Sequence, residues 1–265
     1  MRIRRSLAVS VAAVAAVLAA SAGVYAYASA PDADTASPPP VEKTAEPEKT
    51  EPEPEADPDP GRVPTTKHKC GDTGEEQLEV ERMLSIIGGY GEIFVDGDQS
   101  KEDCKAIKKF QKDMGIQPAN GYAGDLTRSV AERIRDTDFL SCDPGDDLVV
   151  CVDLTHQTLW VVDADGERVF GPTVVRTGMA GYATQTGKLP IANRAEREWS
   201  VPYKVWLPYW QHFYMGQGLH ETTTYLHDSF GSHGCVNLLH DDAVKLYELL
   251  DVGTVLHIFG HRPGT

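Results

Sequence analysis

The sequence is poor in basic residues, and this shortage limits what the protein can bind. Its 265 residues include 25 Lys and Arg against 40 Asp and Glu, which gives a net charge of −15 at pH 7. Proteins that bind nucleic acid present positive charge to the phosphates, so this composition argues against a nucleic-acid partner. Cysteine is also scarce. There are five, and none lies near the N-terminal apolar run, which argues against lipid attachment there.

Charge is absent from residues 7–30. The chain begins Met-Arg-Ile-Arg-Arg and continues as an uncharged run rich in Ala and Val. A positive start before an apolar run directs export, and the run can cross a bilayer, which takes about 20 residues. Residues 1–30 are therefore predicted as a cleaved signal peptide or a retained N-terminal membrane anchor. Pro31 disfavours cleavage after Ala28-Ser29-Ala30, so the anchor is slightly preferred.

Residues 31–68 are predicted as a disordered linker rich in proline and glutamate. Between Pro31 and Pro60 there are ten acidic residues and two lysines. A segment of this composition cannot bury a core and stays extended. We interpret it as a spacer, and a specific binding tract is the less favoured alternative.

Residues 69–141 are predicted as a small three-helix domain. Apolar residues recur at helical spacing in Glu75–Ile87. Ser100 and Asp103 form a capping-box pattern at the start of a second helix, and a third helix is expected from about Leu126. The sequence around Phe110-Gln111 and Asn120-Gly121 resembles the small peptidoglycan-binding module. A helical spacer that binds nothing is the alternative.

Residues 146–261 are predicted as a mainly β domain. Asp165-Gly166 is a hairpin turn signal, and the apolar residues between Ala243 and Leu250 mark one amphipathic helix. We expect a β-sandwich with this helix packed against it. The runs typical of strands are Leu148–Asp153, Leu159–Val162, Val169–Val175 and Thr254–Phe259.

The five cysteines of an exported chain favour two disulfides and one free thiol. Cys70 and Cys104 flank the first predicted helix, and Cys142 and Cys151 flank a turn at the domain junction. Of the three connectivities open to four cysteines, we predict Cys70–Cys104 and Cys142–Cys151. This pairing leaves Cys235 as the free thiol.

The stretch Ser232-His233-Gly234-Cys235-Val236-Asn237 has the composition of a nucleophilic turn. A thiol attacks as thiolate, and its pKa near ~8.5 means that a neighbouring imidazole must take the proton. Gly218-Leu219-His220 reads as a short strand that delivers a histidine to the same place. Gly234 allows the backbone to approach a substrate closely, and successive N–H groups in such a turn can face a developing oxyanion.

These motifs resemble those of the L,D-transpeptidases with a YkuD-type catalytic domain. The Ser-His-Gly-Cys-Val-Asn motif after a strand that ends in His220 is similar to the family's active-site signature. Leu207-Pro208-Tyr209-Trp210 with Phe213 is similar to its approach to that strand. Thr184-Gln185-Thr186-Gly187 stands where the family usually has Thr-Pro-Thr-Gly.

The resemblance implies a role for each residue of the motif. Cys235 is the expected nucleophile and His220 the general base, with the carbonyl of Glu221 orienting its other ring nitrogen. The backbone N–H groups of His233, Gly234 and Cys235 are expected to hold the oxyanion. The residues expected to shape the turn or contact substrate are Ser232, Asn237, Tyr209 and Trp210, with Ser232 and Asn237 bonded to the turn backbone.

The resemblance also implies the reaction. Cys235 would form a thioester with the third residue of a peptidoglycan stem peptide, and a neighbouring stem would take the acyl group to give a 3→3 cross-link. Water as acceptor would give L,D-carboxypeptidase activity, and a carbapenem would acylate the same thiol. Donor and acceptor stem peptides are the expected partners, in the extracytoplasmic cell wall. No cofactor is expected, and the membrane is involved only through the possible anchor.

Three alternatives stand beside this interpretation. One is a non-catalytic wall-binding protein with a degenerate transpeptidase fold. Another is a papain-like or amidase-like hydrolase, although these place the cysteine before the histidine. The third is a metal site, but His220, His227, His233 and Cys235 are spaced by seven, six and two residues, which fits no familiar zinc pattern. We predict that His227 is a loop residue and that His212 belongs to the groove or core.

Overall fold

The computed structural model describes residues 68–228 and 230–265. The predicted signal peptide or anchor at 1–30, and the predicted linker at 31–68 apart from its last residue, lie outside these residues. Within the described part of the chain, no helix is long and apolar enough to cross a membrane.

The N-terminal part of the described chain contains three helices, as predicted. The Ser100 hydroxyl accepts a hydrogen bond from the Asp103 N–H (3.0 Å), and the Asp103 carboxylate accepts one from the Ser100 N–H (3.1 Å), so the capping box forms at the second helix. The helices enclose an apolar cluster that includes Leu84, Phe110 and Val130. Their bounds are α1 Gln77–Ile87, α2 Lys101–Asp113 and α3 Asp125–Arg135.

The rest of the chain forms two β-sheets and one α-helix, which confirms the predicted mainly β fold. One sheet has the order β3-β2-β1-β9-β4 and the other β5-β6-β7-β8. A short 3₁₀ turn at Phe139–Ser141 precedes them. The bounds are β1 Val149–Asp153, β2 Thr158–Val162, β3 Arg168–Val174, β4 Gly187–Pro190, β5 Asn193–Ser200, β6 Val205–Tyr214, β7 Gln217–Glu221, β8 Val236–Leu238, α4 His240–Leu249 and β9 Val255–Phe259.

Both sheets and α4 contribute to one apolar core. Val150 of β1, Leu219 of β7, Val236 of β8 and Leu246 of α4 are all fully buried in it. Burying a side chain of this size stabilises the fold by about 1.5–3 kcal/mol relative to leaving it exposed. The two sheets are therefore held face to face by their inward-pointing residues.

The pairing of β7 with β8 positions two polar side chains together. The two strands run parallel, and their register sets Leu219 opposite Val236 and His220 opposite Asn237. Successive side chains on a strand point to opposite faces. Because Leu219 and Val236 face the core, His220 and Asn237 share the other face of the sheet.

The helices are bonded to the β part through α3 and through the loop after β7, within one compact unit. Arg133 donates hydrogen bonds to the carbonyls of His156 (2.9 Å), Gln157 (2.6 Å) and Val175 (3.1 Å). Leu226 of the loop is buried in the apolar cluster of the helices. These contacts fix the helical part on the β2–β3 side of the β part.

The structure pairs the cysteines in the predicted way. Cys70 and Cys104 have a Cα–Cα separation of 5.6 Å, and Cys142 and Cys151 one of 5.7 Å. Both values lie in the range that a disulfide spans. Cys235 is the one unpaired cysteine among the described residues. The existence of the two bonds in the exported protein stays a prediction, which thiol mapping tests.

We expect Arg133→Met to lower the free energy of unfolding by about 2–4 kcal/mol, because it leaves partly buried carbonyls without a donor. Urea denaturation of the full chain measures this change. Arg135→Met is the matched control on the same helix. Arg135 pairs only with the surface residues Asp136 and Glu132, so its loss should cost at most about 1 kcal/mol. Equal losses for the two variants would contradict the bracing role of Arg133.

Candidate active site

The turn that carries Cys235 is tight and is held by its own side chains. Gly234 has φ +106, and a Cβ there would lie 2.6 Å from Nε2 of Gln217. This conformation and this contact favour glycine. The Ser232 hydroxyl donates to the carbonyl of Cys235 (2.5 Å) and accepts from the N–H of Gly234 (3.1 Å). Ser232 thus makes the side-chain-to-backbone contacts that the sequence indicated, and they close the turn around Gly234.

A second segment, 177–184, braces the turn from outside. The Thr184 hydroxyl accepts from the N–H of Gly178 (2.9 Å) and donates to the carbonyl of Gly234 (2.9 Å). The N–H of Ser232 donates to the carbonyl of Thr177 (2.9 Å). The turn is therefore fixed at both ends before any substrate arrives.

The thiol of Cys235 is mostly buried and protonated at neutral pH. Its Sγ lies 3.8 Å from the carbonyl oxygen of Gly216, to which the S–H donates. Burial raises the pKa of the Cys235 thiol to about 11, because the thiolate loses hydration. A hydrogen bond from the backbone of Gly218 opposes this effect but does not cancel it.

His220 is buried beside the turn and uncharged. Its Nδ1 lies 2.7 Å from the carbonyl oxygen of Glu221, and its Nε2 lies 2.9 Å from Nδ2 of Asn237. Burial lowers the pKa of His220 to about 4; the Glu221 carbonyl opposes the shift, and the positive charge of Arg176 adds to it. The carbonyl of Glu221 lies where the sequence analysis placed it. Thiol and imidazole are therefore both neutral at pH 7.

Asn237 makes different contacts from those expected. We predicted hydrogen bonds from its side chain to the turn backbone, but its Oδ1 accepts from Nε (3.2 Å) and Nη2 (3.1 Å) of Arg176, and its Nδ2 faces His220. The reason is the strand register, which turns Asn237 toward His220. Sequence reasoning missed Arg176. A lone arginine after a strand reads as an ordinary charged residue, and nothing local links it to the motif.

These groups open onto one cavity of about 890 Å³. Its lining combines polar side chains, such as those of His220 and Asn237, with aromatic rings. Its lining includes the predicted residues His220, Ser232, His233, Cys235, Asn237 and Trp210, together with His212, Tyr203 and the unpredicted Arg176.

The aromatic residues divide between the cavity and the core. Trp210 is buried, with its ring centroid 6.1 Å from that of His220. Tyr209, predicted to contact substrate, instead packs beside Tyr247 of α4 (5.8 Å between centroids) and is not in the cavity lining. Its positive φ of 54° explains the difference, because this backbone angle interrupts the alternation of β6 and turns the ring toward α4.

The other histidines have separate partners. The ring of His233 stacks on Tyr203 (4.3 Å between centroids) and meets Tyr182 edge-on (4.6 Å). Nε2 of His227 donates to the carbonyl of Met114 (2.6 Å), which points this ring into the helical part. The described residues contain no group of three or more His, Cys, Asp or Glu side chains that could hold a metal ion.

Alkylation by iodoacetamide should modify Cys235 alone in the unreduced protein, with a rate that rises about tenfold per pH unit from pH 7 to 9.5. The reason is the pKa of about 11, since only thiolate reacts. Peptide mapping by mass spectrometry identifies the alkylated cysteine and measures its rate of alkylation at each pH. N-acetylcysteine treated in the same way is the reference for that rate. A rate that is flat above pH 6 would reveal a thiolate–imidazolium pair instead, and label on Cys70 or Cys142 would contradict the disulfide pairing.

Comparison with known proteins adds independent evidence. The family model of the YkuD L,D-transpeptidase catalytic domain matches residues 147–258. A crystal structure of an L,D-transpeptidase (Yku) from Stackebrandtia nassauensis is 61% identical, with a TM-score of 0.73, and the alignment covers 76% of this chain and 99% of that one. Because residues 147–265 make up less than half of the chain, this similarity extends N-terminally beyond the catalytic domain.

Two further solved structures are more distant. An L,D-transpeptidase from Xylanimonas cellulosilytica is 21% identical (TM-score 0.43; 72% of this chain and 97% of that one). An Enterococcus faecium L,D-transpeptidase is 26% identical (TM-score 0.37; 43% and 50%). A comparison with curated proteins returned no match. The 61% identity over nearly the whole length of the first relative, together with the matched catalytic domain, shows that this chain belongs to the L,D-transpeptidase family.

Proposed function

We propose that the protein forms 3→3 peptidoglycan cross-links through a thioester on Cys235. The observation that carries this proposal is the shared cavity, in which an unpaired thiol and a buried neutral imidazole meet at one rigid turn. The enzyme class follows from the family, and the residue roles below are inferred from the contacts.

In the acylation step, Sγ of Cys235 attacks the carbonyl carbon of the third stem residue, at the bond to the terminal D-alanine. Nε2 of His220 gives up the hydrogen bond from Asn237 and takes the thiol proton as the S–C bond forms. The C–N bond then breaks, and the D-alanine amine leaves with that proton. Because the thiol and imidazole are neutral at rest, the proton moves during the attack and not before it.

The tetrahedral intermediate places negative charge on the former carbonyl oxygen. The Gly234 N–H, one of three donors that the sequence indicated, already donates to Ser232 and serves the turn. We assign the oxyanion to the N–H of Cys235, another donor of that set. A donor of this kind contributes about 3–4 kcal/mol to the transition state. The bonds of Ser232 and Thr184 hold it in place.

In the second step an amine from a neighbouring stem attacks the thioester. His220 accepts the amine proton, the C–S bond breaks, and the thiolate recovers that proton. Water in place of the amine gives L,D-carboxypeptidase activity as a side reaction. The aromatic wall that includes Trp210 supplies apolar contact area for stem peptides.

The helical region and the N-terminus contribute to placement in the wall. We assign residues 69–141 to a peptidoglycan-binding-like domain and 146–261 to the catalytic domain, after a signal peptide or anchor at 1–30. The contacts of Arg133 and His227 favour a helical domain that is fixed to the catalytic part. Action on peptidoglycan is extracytoplasmic, in keeping with export.

We expect Cys235→Ala to reduce cross-linking to background, because the acyl group then has no acceptor on the enzyme. Mass spectrometry of muropeptides after incubation with the purified full chain measures 3→3 dimers. His227→Gln, whose amide can still donate to Met114, is the control and should keep near-normal activity. The rival interpretation, a non-catalytic wall protein, gains support if wild-type protein makes no dimers. Turnover by Cys235→Ala would refute the mechanism.

We expect a carbapenem to acylate Cys235, and His220→Ala to slow this adduct by about 100-fold or more, the usual scale for losing a general base. The strained lactam carbonyl takes the place of the stem carbonyl. Intact-protein mass spectrometry after brief exposure compares wild type, His220→Ala and His227→Gln. An adduct that persists without His220 but is lost in His227→Gln would mean that the base has been assigned to the wrong histidine.

A further inference from the structure

Arg176 lies two residues after β3 and is buried, with 8% of its surface exposed. Its backbone pairs with that of Asn237, through hydrogen bonds of 3.2 and 2.9 Å. The side chain therefore begins beside the catalytic turn and lines the cavity. The hydrogen bonds of the Arg176 side chain go to Asn237 and to the loop after β7, and not to Cys235. Any influence of Arg176 on the chemistry is therefore exerted through another residue.

The guanidinium of Arg176 is held on every side. Nη1 forms an ion pair with Asp228 (2.5 Å) and donates to the carbonyl of Tyr225 (3.0 Å). Nη2 donates to the hydroxyls of Thr222 (3.1 Å) and Thr224 (2.7 Å). All four partners belong to the loop after β7, which also packs against the helices. The group has little freedom to rotate.

This fixed guanidinium decides how the amide of Asn237 is oriented. Nε and Nη2 both donate to Oδ1 of Asn237. A guanidinium has only donors, so the reversed amide would set NH₂ against N–H and lose both bonds. Arg176 therefore selects the orientation in which Nδ2 points at His220.

The orientation of Asn237 in turn decides the state of His220. The carbonyl of Glu221 can only accept, so Nδ1 carries a hydrogen. The Asn237 NH₂ can only donate, so Nε2 presents its lone pair. With the amide reversed, Oδ1 would face Nε2, and a doubly protonated ring would satisfy both contacts. That ring cannot accept a proton.

We propose that Arg176 is a positioning residue which, by fixing the amide of Asn237, keeps Nε2 of His220 unprotonated, the state that a base requires. The inference rests on the proposed role of His220 as the base. The protonation state of the His220 ring, which the proposal predicts, does not depend on the presence of substrate.

The groups that face His220 are uncharged at neutral pH. The Glu221 carbonyl faces it from its own strand, Asn237 from β8, and the uncharged ring of Trp210 from β6. Cys235 shares the cavity and is protonated at neutral pH. The nearest charge is that of Arg176, which lowers the pKa of His220 in addition to burial and is itself paired with Asp228. The Glu221 carboxylate is engaged with His240 (3.0 Å).

The test is titration of His220 by long-range ¹H–¹⁵N NMR on the full chain with labelled histidine. In the wild type the ring should be neutral above pH 5, with Nδ1 protonated and Nε2 bare. In Arg176→Gln the midpoint should rise by at least one pH unit, a tenfold gain in proton affinity. Arg176→Lys keeps the charge but loses the two-point contact with Oδ1, so its midpoint should lie between these two.

Two further variants keep the test decisive. Arg133→Gln removes another arginine that binds buried carbonyls away from the cavity, and it should leave the His220 midpoint unchanged. Asn237→Asp is nearly isosteric and places a carboxylate against Nε2, so it should raise the midpoint even if Arg176→Gln does not fold. An unchanged midpoint in the folded Arg176 and Asn237 variants, or an equal rise in Arg133→Gln, would overturn the proposal.

The readout also separates this proposal from the proposed function. The midpoints are measured without substrate, so absence of cross-linking by the wild type would refute the function and leave the titration result standing. Conversely, if the wild type is active but the titration midpoint of His220 is the same in the Arg176 variants, only the positioning role is refuted.

Discussion

The parallel pairing of β7 with β8 is the constraint on which the site depends. Its register sets His220 opposite Asn237, and the buried neighbours Leu219 and Val236 prevent a slip. A shift of β7 by one residue would turn His220 into the core and Leu219 out of it, and a shift of β8 would do the same to Asn237 and Val236. Since Cys235 immediately precedes β8, the same pairing also places the turn that carries Cys235 beside His220.

Sequence reasoning worked where the information is local. The helices follow from apolar spacing and from the cap formed by Ser100 and Asp103, and the strands from alternating runs. The turn around Gly234 is readable because its bonding groups lie within a few residues of one another. The carbonyl of Glu221 is the nearest acceptor to His220 for the same reason. Local chemistry thus predicted the helices, the strands and the turn, and the family resemblance added the expected roles of Cys235 and His220.

The contacts that sequence reasoning missed join distant parts of the chain. Arg176 lies 61 residues from Asn237, and only the pairing of their backbones brings the two together. Tyr209 was misplaced because its positive φ breaks the alternation that a strand pattern assumes. His227 shows the same limit, since its partner Met114 is 113 residues away in another part of the fold. Periodicity and motif spacing contain no information of this kind.

The high pKa of the Cys235 thiol has a consequence for survival outside the cell. Oxidation to sulfenic acid and exchange with small disulfides both require thiolate and access to solvent. A sulfur that donates to the Gly216 carbonyl and stays protonated near neutral pH supplies little thiolate. Cys235, the proposed nucleophile, is therefore expected to stay reduced in a compartment where the four other cysteines are expected to be oxidised.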